Sequence, residues 1–243
     1  DRAGNLRFRP SLFYVGFMEA FTRMVNRVLL AFFLVQSISR GEAADFSIKR
    51  AETPTPKEIS ESIRAVLEPK AIQLVQEAKP VLEIWLRREV PLKANSAKLD
   101  SLRETTLVGA VAVRQPLRDY KDNEVAPGIY TARFILQPQD GDHLGSADFN
   151  TFVALVPAGA DKELEGITKY TALTKASGKT TPSGHPAIFS LRPVSGEGKS
   201  APGVIEPAPE HKAIRLSLDA KGPGGEKIAL PFDLVFEGHG HIQ

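Results

Sequence analysis

One acidic stretch with a histidine, LQPQDGDHLGSADF (136–149), holds the residue types best suited to chemistry. Asp140, Asp142, His143 and Asp148 lie within nine residues of one another there. Carboxylate oxygens and a neutral imidazole are ligands for divalent ions such as calcium, zinc or copper. An aspartate that orients an imidazole also supports general-base catalysis. The stretch therefore leaves three alternatives open: a metal site, an Asp–His catalytic pair, or an acidic turn between two strands.

The spacing of this stretch matches the EF-hand calcium loop only in part. With Asp140 at position 1, Asp142 and Gly145 fall at positions 3 and 6, as that loop requires. Position 5 is Leu144, however, and Thr151 stands where the bidentate glutamate belongs. Strands rather than helices are also predicted on both sides. The pattern excludes an EF-hand and leaves a looser calcium site or a His/Asp transition-metal site.

His185 is the residue best placed by type and context to share an ion with His143. It stands in SGHPAIFSL (183–191), beside a turn and before a predicted strand, and the proline after it keeps it extended. For His185 taken alone, a solvated turn histidine is the simpler interpretation. The predicted metal ligands are therefore Asp140, Asp142, His143 and His185.

Other motifs in the chain do not indicate catalysis. SGKT (177–180) resembles the end of a phosphate-binding loop, but Leu173 stands where that loop needs glycine, and a helix precedes it. GPGG (222–225) is interpreted as a hairpin turn. The G-x-S-x-G and H-E-x-x-H patterns are absent from the sequence. We assign no catalytic residue and expect a protein that is not an enzyme.

The charge distribution gives no reason to expect a nucleic-acid partner. The net charge is +2, but residues 1–44 hold six of the 31 Lys and Arg and only three of the 29 Asp and Glu. The rest of the chain carries 25 basic and 26 acidic side chains, a net charge of −1. A nucleic-acid-binding surface requires a basic excess that this body lacks.

The N-terminal region is typical of an export signal. A short basic segment precedes the apolar run VLLAFFLVQSI (28–38), and small residues follow at Ala43 and Ala44. We interpret 24–44 as a signal peptide and 1–23 as a non-native or upstream extension, with an unusual targeting extension as the alternative. The apolar run is too short to span a bilayer, so no stable membrane span is expected after cleavage. The chain has no cysteine, which favours a bacterial periplasm or exterior over a disulfide-stapled secreted domain.

The hydrophobic pattern of the remaining chain predicts a mainly β protein. Residues 45–57 are interpreted as a polar leader and 58–243 as one domain, with short helices at 57–67 and 161–178. Asp161 is expected to cap the second helix. About eight strands with frequent turn signals indicate an antiparallel β-sandwich. The predicted strands are 71–76, 80–90, 105–113, 128–137, 149–157, 186–194, 212–220 and 227–238.

Two aromatic residues of these strands are predicted to lie in the core. Trp85 and Tyr130 each sit in an alternating strand and bury a large area. Tyr130 follows Pro127-Gly128, and its hydroxyl is expected to bond a nearby backbone group, as a tyrosine at a sandwich corner does.

The long block APGIYTARFILQPQDGDHLG (126–145) resembles an uncharacterised family of secreted proteins from planctomycete-type bacteria. The shorter segments DF (148–149), LVPA (155–158) and SGHPAI (183–188) extend the resemblance. It implies export and a β-rich domain, and it brings no known activity. The function predicted from the sequence is that of an exported, soluble β-sandwich protein with a non-catalytic binding or structural role. The alternatives are a metal-binding protein using the cluster at 140–148, and a metal-assisted or Asp–His hydrolase.

Overall fold

The computed structural model describes residues 46–141, 147–194 and 201–238. Two α-helices lie in these residues, α1 (Glu61–Arg64) and α2 (Tyr170–Ser177). The mainly β class with two short helices is therefore confirmed. Thirteen strands are described: β1 (Phe46–Ala51), β2 (Ala71–Gln76), β3 (Lys79–Leu86), β4 (Val90–Pro91), β5 (Leu107–Val113), β6 (Leu117–Arg118), β7 (Glu124–Val125), β8 (Gly128–Leu136), β9 (Thr151–Pro157), β10 (Ile188–Pro193), β11 (Gly203–Ala208), β12 (His211–Lys221) and β13 (Lys227–Glu237).

Ten of the described strands form one continuous antiparallel path, in the order β1-β2-β3-β5-β8-β9-β10-β13-β12-β11. Strand β10 joins its two halves, because Ile188–Ser190 pair with β9 and Leu191–Pro193 pair with β13. The path curls until its first and last strands approach each other. The rings of Phe46 in β1 and Phe236 in β13 lie 4.9 Å apart. The described strands form one curled sheet and do not divide clearly into the sandwich of about eight strands that the sequence predicted.

The interior of the curl holds the largest hydrophobic core. In β8, Tyr130, Ala132 and Phe134 point into it, together with alternate residues of β12 and β13. Strand β5 is buried along its whole length, because its outward-facing alanines pack against a second cluster outside the sheet. Burial on both faces explains the near-continuous apolar sequence of this strand.

The two aromatic predictions are confirmed. Trp85 is fully buried in the outer cluster, and its Nε1 donates a hydrogen bond to the carbonyl of Thr53 at 3.0 Å. The Tyr130 hydroxyl donates to the carbonyl of Ala126 at 2.8 Å. A Cβ on Gly128 would lie 2.8 Å from that hydroxyl oxygen, so glycine leaves the space that the tyrosine ring needs.

Strand β1 lies where the sequence predicted only a polar leader. Residues 46–51 pair with the whole of β2, from Phe46 opposite Gln76 to Ala51 opposite Ala71. Phe46 and Ile48 pack against the interior core. Two apolar residues within a polar segment are a weak local signal, and the partner strand lies some twenty residues further along the chain.

The first helix is shorter than the predicted 57–67. It covers Glu61–Arg64, and Ile63 in it is fully buried. After it, Leu67 forms a β-bridge with Arg87, and the Glu68 amide donates to the Leu86 carbonyl at 2.8 Å. Pairing with the end of β3 therefore takes the chain out of the helix before its pattern ends.

The second helix begins nine residues later than predicted, because Asp161 does not act as its cap. The Asp161 carboxylate is buried and receives two hydrogen bonds from Arg133, at 2.7 and 2.8 Å. Arg133 also donates to the carbonyls of Glu163 and Leu164. These bonds hold the segment as a loop against the outer face of β8, and α2 starts only at Tyr170.

Candidate functional site

The acidic stretch connects two paired strands, as the sequence predicted. Strands β8 and β9 are antiparallel neighbours, and Leu136 lies opposite Thr151. The amide of Gln137 donates to the carbonyl of Asn150 at 2.8 Å, which extends the ladder by one step. Residues 138–149 therefore form the connection of a hairpin at one end of the sheet.

Two of the four predicted metal ligands, Asp142 and His143, lie outside the described residues, as do His239 and His241. Asp140 is exposed, and its charge acts on the phenol of Tyr170. His185 is exposed in the turn before β10. Among the residues that the structure describes, no three His, Cys, Asp or Glu side chains cluster closely enough to hold a metal ion. The four-residue metal site therefore stays a prediction.

The structure brings His185 to the same cleft as the start of the hairpin connection. The cleft has a volume of about 390 Å³, and Gln137 and Pro138 line it together with His185. Its apolar lining residues are Ile135, Leu136, Pro138, Phe152, Pro186 and Ile188. Its polar lining residues are Lys121, Asn123, Gln137, Tyr170, Thr174 and His185. A concave surface that combines apolar side chains with polar groups is the usual form of a small-molecule site.

Two of the polar side chains that line the cleft are already engaged within the protein. The Asn123 amide nitrogen donates to the Asp119 carboxylate, and its oxygen accepts a hydrogen bond from Ser183 at 2.7 Å. The Thr174 hydroxyl donates to the carbonyl of Thr171 at 3.2 Å, one turn earlier in α2. These bonds shape the cleft and already use the Asn123 amide and the hydroxyl proton of Thr174.

The Tyr170 hydroxyl and the His185 imidazole differ from them, because neither makes a hydrogen bond to any described residue. Burial raises the pKa of Tyr170, and the carboxylates of Glu104 and Asp140 raise it further. The phenol therefore keeps its proton at neutral pH and acts as a hydrogen-bond donor. Glu104 is held at this end of the cleft, since its side chain accepts from the Leu136 amide at 3.3 Å.

A buried carboxylate that the sequence analysis missed, Asp119, positions one wall of the cleft. It accepts hydrogen bonds from the amides of Lys121 at 2.9 Å, Asn123 at 2.8 Å and Ile188 at 3.0 Å. All three of these residues line the cleft. Burial raises the pKa of Asp119, and the hydrogen bonds it accepts oppose that shift. The run DYKDN contains the local turn signal, but only the fold shows the bond to Ile188.

The far end of the hairpin connection is anchored by an arginine. The Arg192 guanidinium lies 3.4 Å from the Asp148 carboxylate and 5.0 Å from the centre of the Phe149 ring. The tyrosine hydroxyl of Tyr120 is also close enough for Asp148 and Arg192 to act on it. Asp148, which took position 9 in the calcium-loop comparison, thus already faces a cation.

The SGKT segment has a structural role. It covers the end of α2 and a 3₁₀ turn at Gly178–Thr180, so a helix does precede it. The Thr180 side chain is nearly buried, and its hydroxyl donates to the Leu155 carbonyl at 3.2 Å. The segment packs against β9.

No protein-family model matches this chain, and no match was found among the curated proteins or the solved structures. The resemblance to secreted planctomycete-type proteins therefore stays a prediction. Within the described ranges, no helix is both long and apolar enough to cross a membrane.

Proposed function

We propose that this chain is an exported, non-catalytic binding protein whose ligand occupies the cleft beside the β8–β9 hairpin. The observation that carries this proposal is the composition of the cleft. Most of its surface is apolar, while Tyr170 and His185 present polar groups that make no hydrogen bond to the described residues. Polar groups of this kind fix the orientation of a ligand whose apolar part is buried.

The test is a fragment screen by ligand-observed NMR on the full chain, repeated on two variants of α2. Thr174 lines the cleft, whereas Thr171 is exposed on the same helix and does not. Thr174→Trp should fill the cleft and abolish the binding of the hits. Thr171→Trp introduces the same side chain outside the cleft and should leave binding unchanged. Hits that bind equally to both variants, or a screen with no hits, would refute the proposal.

Export is the part of the proposal that depends on the N-terminal pattern at 24–44. Strand β1 begins at Phe46 and pairs with β2 along its length, so cleavage after Ala43 or Ala44 leaves the fold intact. Expression with the native leader in a bacterial host, followed by N-terminal sequencing, tests this. A mature chain starting at Ala44 or Asp45 outside the cytoplasm is expected. An unprocessed chain that stays in the cytoplasm would contradict export.

A metal-binding function is the second candidate, and the position of His185 favours it. His185 lines the same cleft as Gln137 and Pro138, which lead directly to Asp140, Asp142 and His143. Elemental analysis for calcium, zinc and copper, with melting curves in chelator, tests this candidate. Bound metal that is lost in His143→Ala and in His185→Ala, but kept in His211→Gln, would support it. Absence of stoichiometric metal, with no shift on adding these ions, would exclude it.

A further inference from the structure

The cleft has few hydrogen-bonding groups left for a ligand, and this limits the class of molecule that it can bind. Asn123 and Thr174 are engaged within the protein. The Tyr170 hydroxyl and the His185 imidazole make no bond to the described residues. A saccharide carries a hydroxyl on most of its carbons, and burying these without partners costs free energy for each one. A mainly apolar molecule with a single polar head suits the cleft better.

The charged groups near Tyr170 favour an uncharged head over an anionic one. Glu104 and Asp140 act on the Tyr170 phenol, so a carboxylate placed there would face two acids. An ammonium group has no lone pair with which to accept a hydrogen bond from the phenol. Lys121 also lines the cleft, and Asp119, two residues before it, acts on its charge. A neutral acceptor therefore suits the Tyr170 hydroxyl better than either charged head.

The phenol of Tyr170 selects the kind of neutral head. Because the phenol retains its proton, it can donate a hydrogen bond. The matching head of the ligand is therefore an acceptor, such as a carbonyl oxygen. The imidazole of His185 can also donate one N–H to such an oxygen. The apolar body of the ligand then lies on Ile135, Leu136 and Phe152.

We infer that the cleft binds an uncharged, mainly apolar carbonyl compound, with its oxygen accepting a hydrogen bond from Tyr170. This inference rests on the proposed function of the cleft. A volume of about 390 Å³ lies within the range of small-molecule sites and near its lower end, which favours a compact ligand.

Three probes with the same 2-phenylethyl body separate the possible heads: 4-phenylbutan-2-one, 3-phenylpropanoate and 2-phenylethylammonium. Glucose serves as the saccharide probe. Each is titrated into the full chain, and binding is followed by NMR. The ketone should bind most tightly, and its Kd should rise about fivefold in Tyr170→Phe, the effect of one neutral hydrogen bond. Tyr130→Phe removes a hydroxyl that bonds Ala126 away from the cleft and should leave the Kd unchanged.

The outcomes distinguish the inference from the proposed function beneath it. Equal or tighter binding of either charged probe, or of glucose, would overturn the inference. An unchanged Kd in Tyr170→Phe would overturn the role of the phenol. If none of the three phenylethyl probes binds but Thr174→Trp abolishes other hits, the inference fails and the binding function stands. If no compound is sensitive to Thr174→Trp, both fail.

Discussion

At the scale of single residues, buried charges define how this chain departs from its local sequence pattern. Arg133 and Asp161 are both almost completely buried and form a two-point ion pair. The Thr131 hydroxyl donates to the same carboxylate at 2.5 Å. Arg133 also donates to the carbonyls of Thr105, Glu163 and Leu164, and these bonds offset the cost of burying the pair. The pair therefore fixes the path of the chain before α2 more strongly than helix propensity does.

Removing one partner of this pair should destabilise the protein strongly. Asp161→Ala leaves Arg133 as an uncompensated buried charge, so the free energy of unfolding should fall by about 3–5 kcal/mol. Urea unfolding followed by circular dichroism measures it. Glu237→Gln breaks the more exposed pair with Lys212 and should cost less than about 1 kcal/mol. Similar losses in both variants would show that burial of the Arg133 pair has no special effect.

Asp119 gives the protein a pH dependence with a defined sign. Its pKa in the folded state is raised above the ordinary value of 3.8, chiefly by burial. The folded state thus binds its proton more tightly than the unfolded state, and this group's contribution to stability falls as the pH rises from 3.8 through the folded pKa. Asp119→Asn removes the titrating carboxyl group and with it this contribution to the pH dependence of stability. The stability of the wild type relative to Asp119→Asn should therefore fall over this window, as measured by urea unfolding at several pH values. A relative stability that rises with pH would contradict the raised pKa.

At the scale of elements, the close approach of two backbones restricts which residues can occupy one position of β5. Strands β3 and β5 pair from Leu82 opposite Val113 to Leu86 opposite Gly109. A Cβ on Gly109 would lie 2.6 Å from the carbonyl oxygen of Trp85. The ladder between β5 and β8 shifts register between Leu107 and Gly109. Glycine there permits a bulge at a point where two strands lie closer than a side chain allows.

Substitution of this glycine should therefore separate the two strands. Gly109→Ala should lower the free energy of unfolding by about 1–3 kcal/mol, the usual cost of overpacking. Thermal unfolding by calorimetry provides the measurement. Gly159→Ala is the matched control, because a Cβ there would meet nothing within 4 Å. If the two variants have equal melting temperatures, the contact with Trp85 does not constrain β5.

At the scale of the whole molecule, the curl of the sheet leaves a small apolar void at its centre. Its volume is about 30 Å³, which is close to that of one methylene group. Val153 in β9 and Phe232 in β13 are among the side chains that line it, all of them apolar or glycine. A void of this composition has no polar partner for a water molecule. At this void, side chains from the two halves of the sheet therefore do not contact each other.

Filling the void should stabilise the protein. Val153→Ile adds one methylene on the inner face of β9 and should raise the free energy of unfolding by about 0.8 kcal/mol. Val156→Ile adds the same group on the opposite face, where Val156 is fully buried in another cluster. Overpacking there should destabilise the protein. Guanidinium unfolding of both variants tests this, and a loss of stability in Val153→Ile would show that the void cannot accept a methylene.

The features that the sequence predicted correctly are those decided by neighbours along the chain. The hairpin around residues 138–149 follows from two alternating runs with turn residues between them. The burial of Trp85 and the backbone bond of Tyr130 follow from strand alternation and from the glycine two residues before the tyrosine. The mainly β class follows from the same short-range patterns. The metal ligands Asp142 and His143 lie outside the described residues, so that part of the sequence prediction stays untested.

Only the tertiary structure decided the features that join distant segments. Strand β1 forms because it pairs with β2. Asp161 does not start the predicted helix because it pairs with Arg133, which lies nearly thirty residues earlier in the chain, on β8. Strand β10 joins the two halves of the sheet because its first residues pair with β9 and its last residues pair with β13. The cleft forms where β8, β9 and β10 lie side by side, and it brings His185 near Gln137 and Tyr170. Periodicity in a sequence indicates which face of an element is buried, but it does not indicate which distant element covers that face. In this chain the candidate site depends on which distant elements come together.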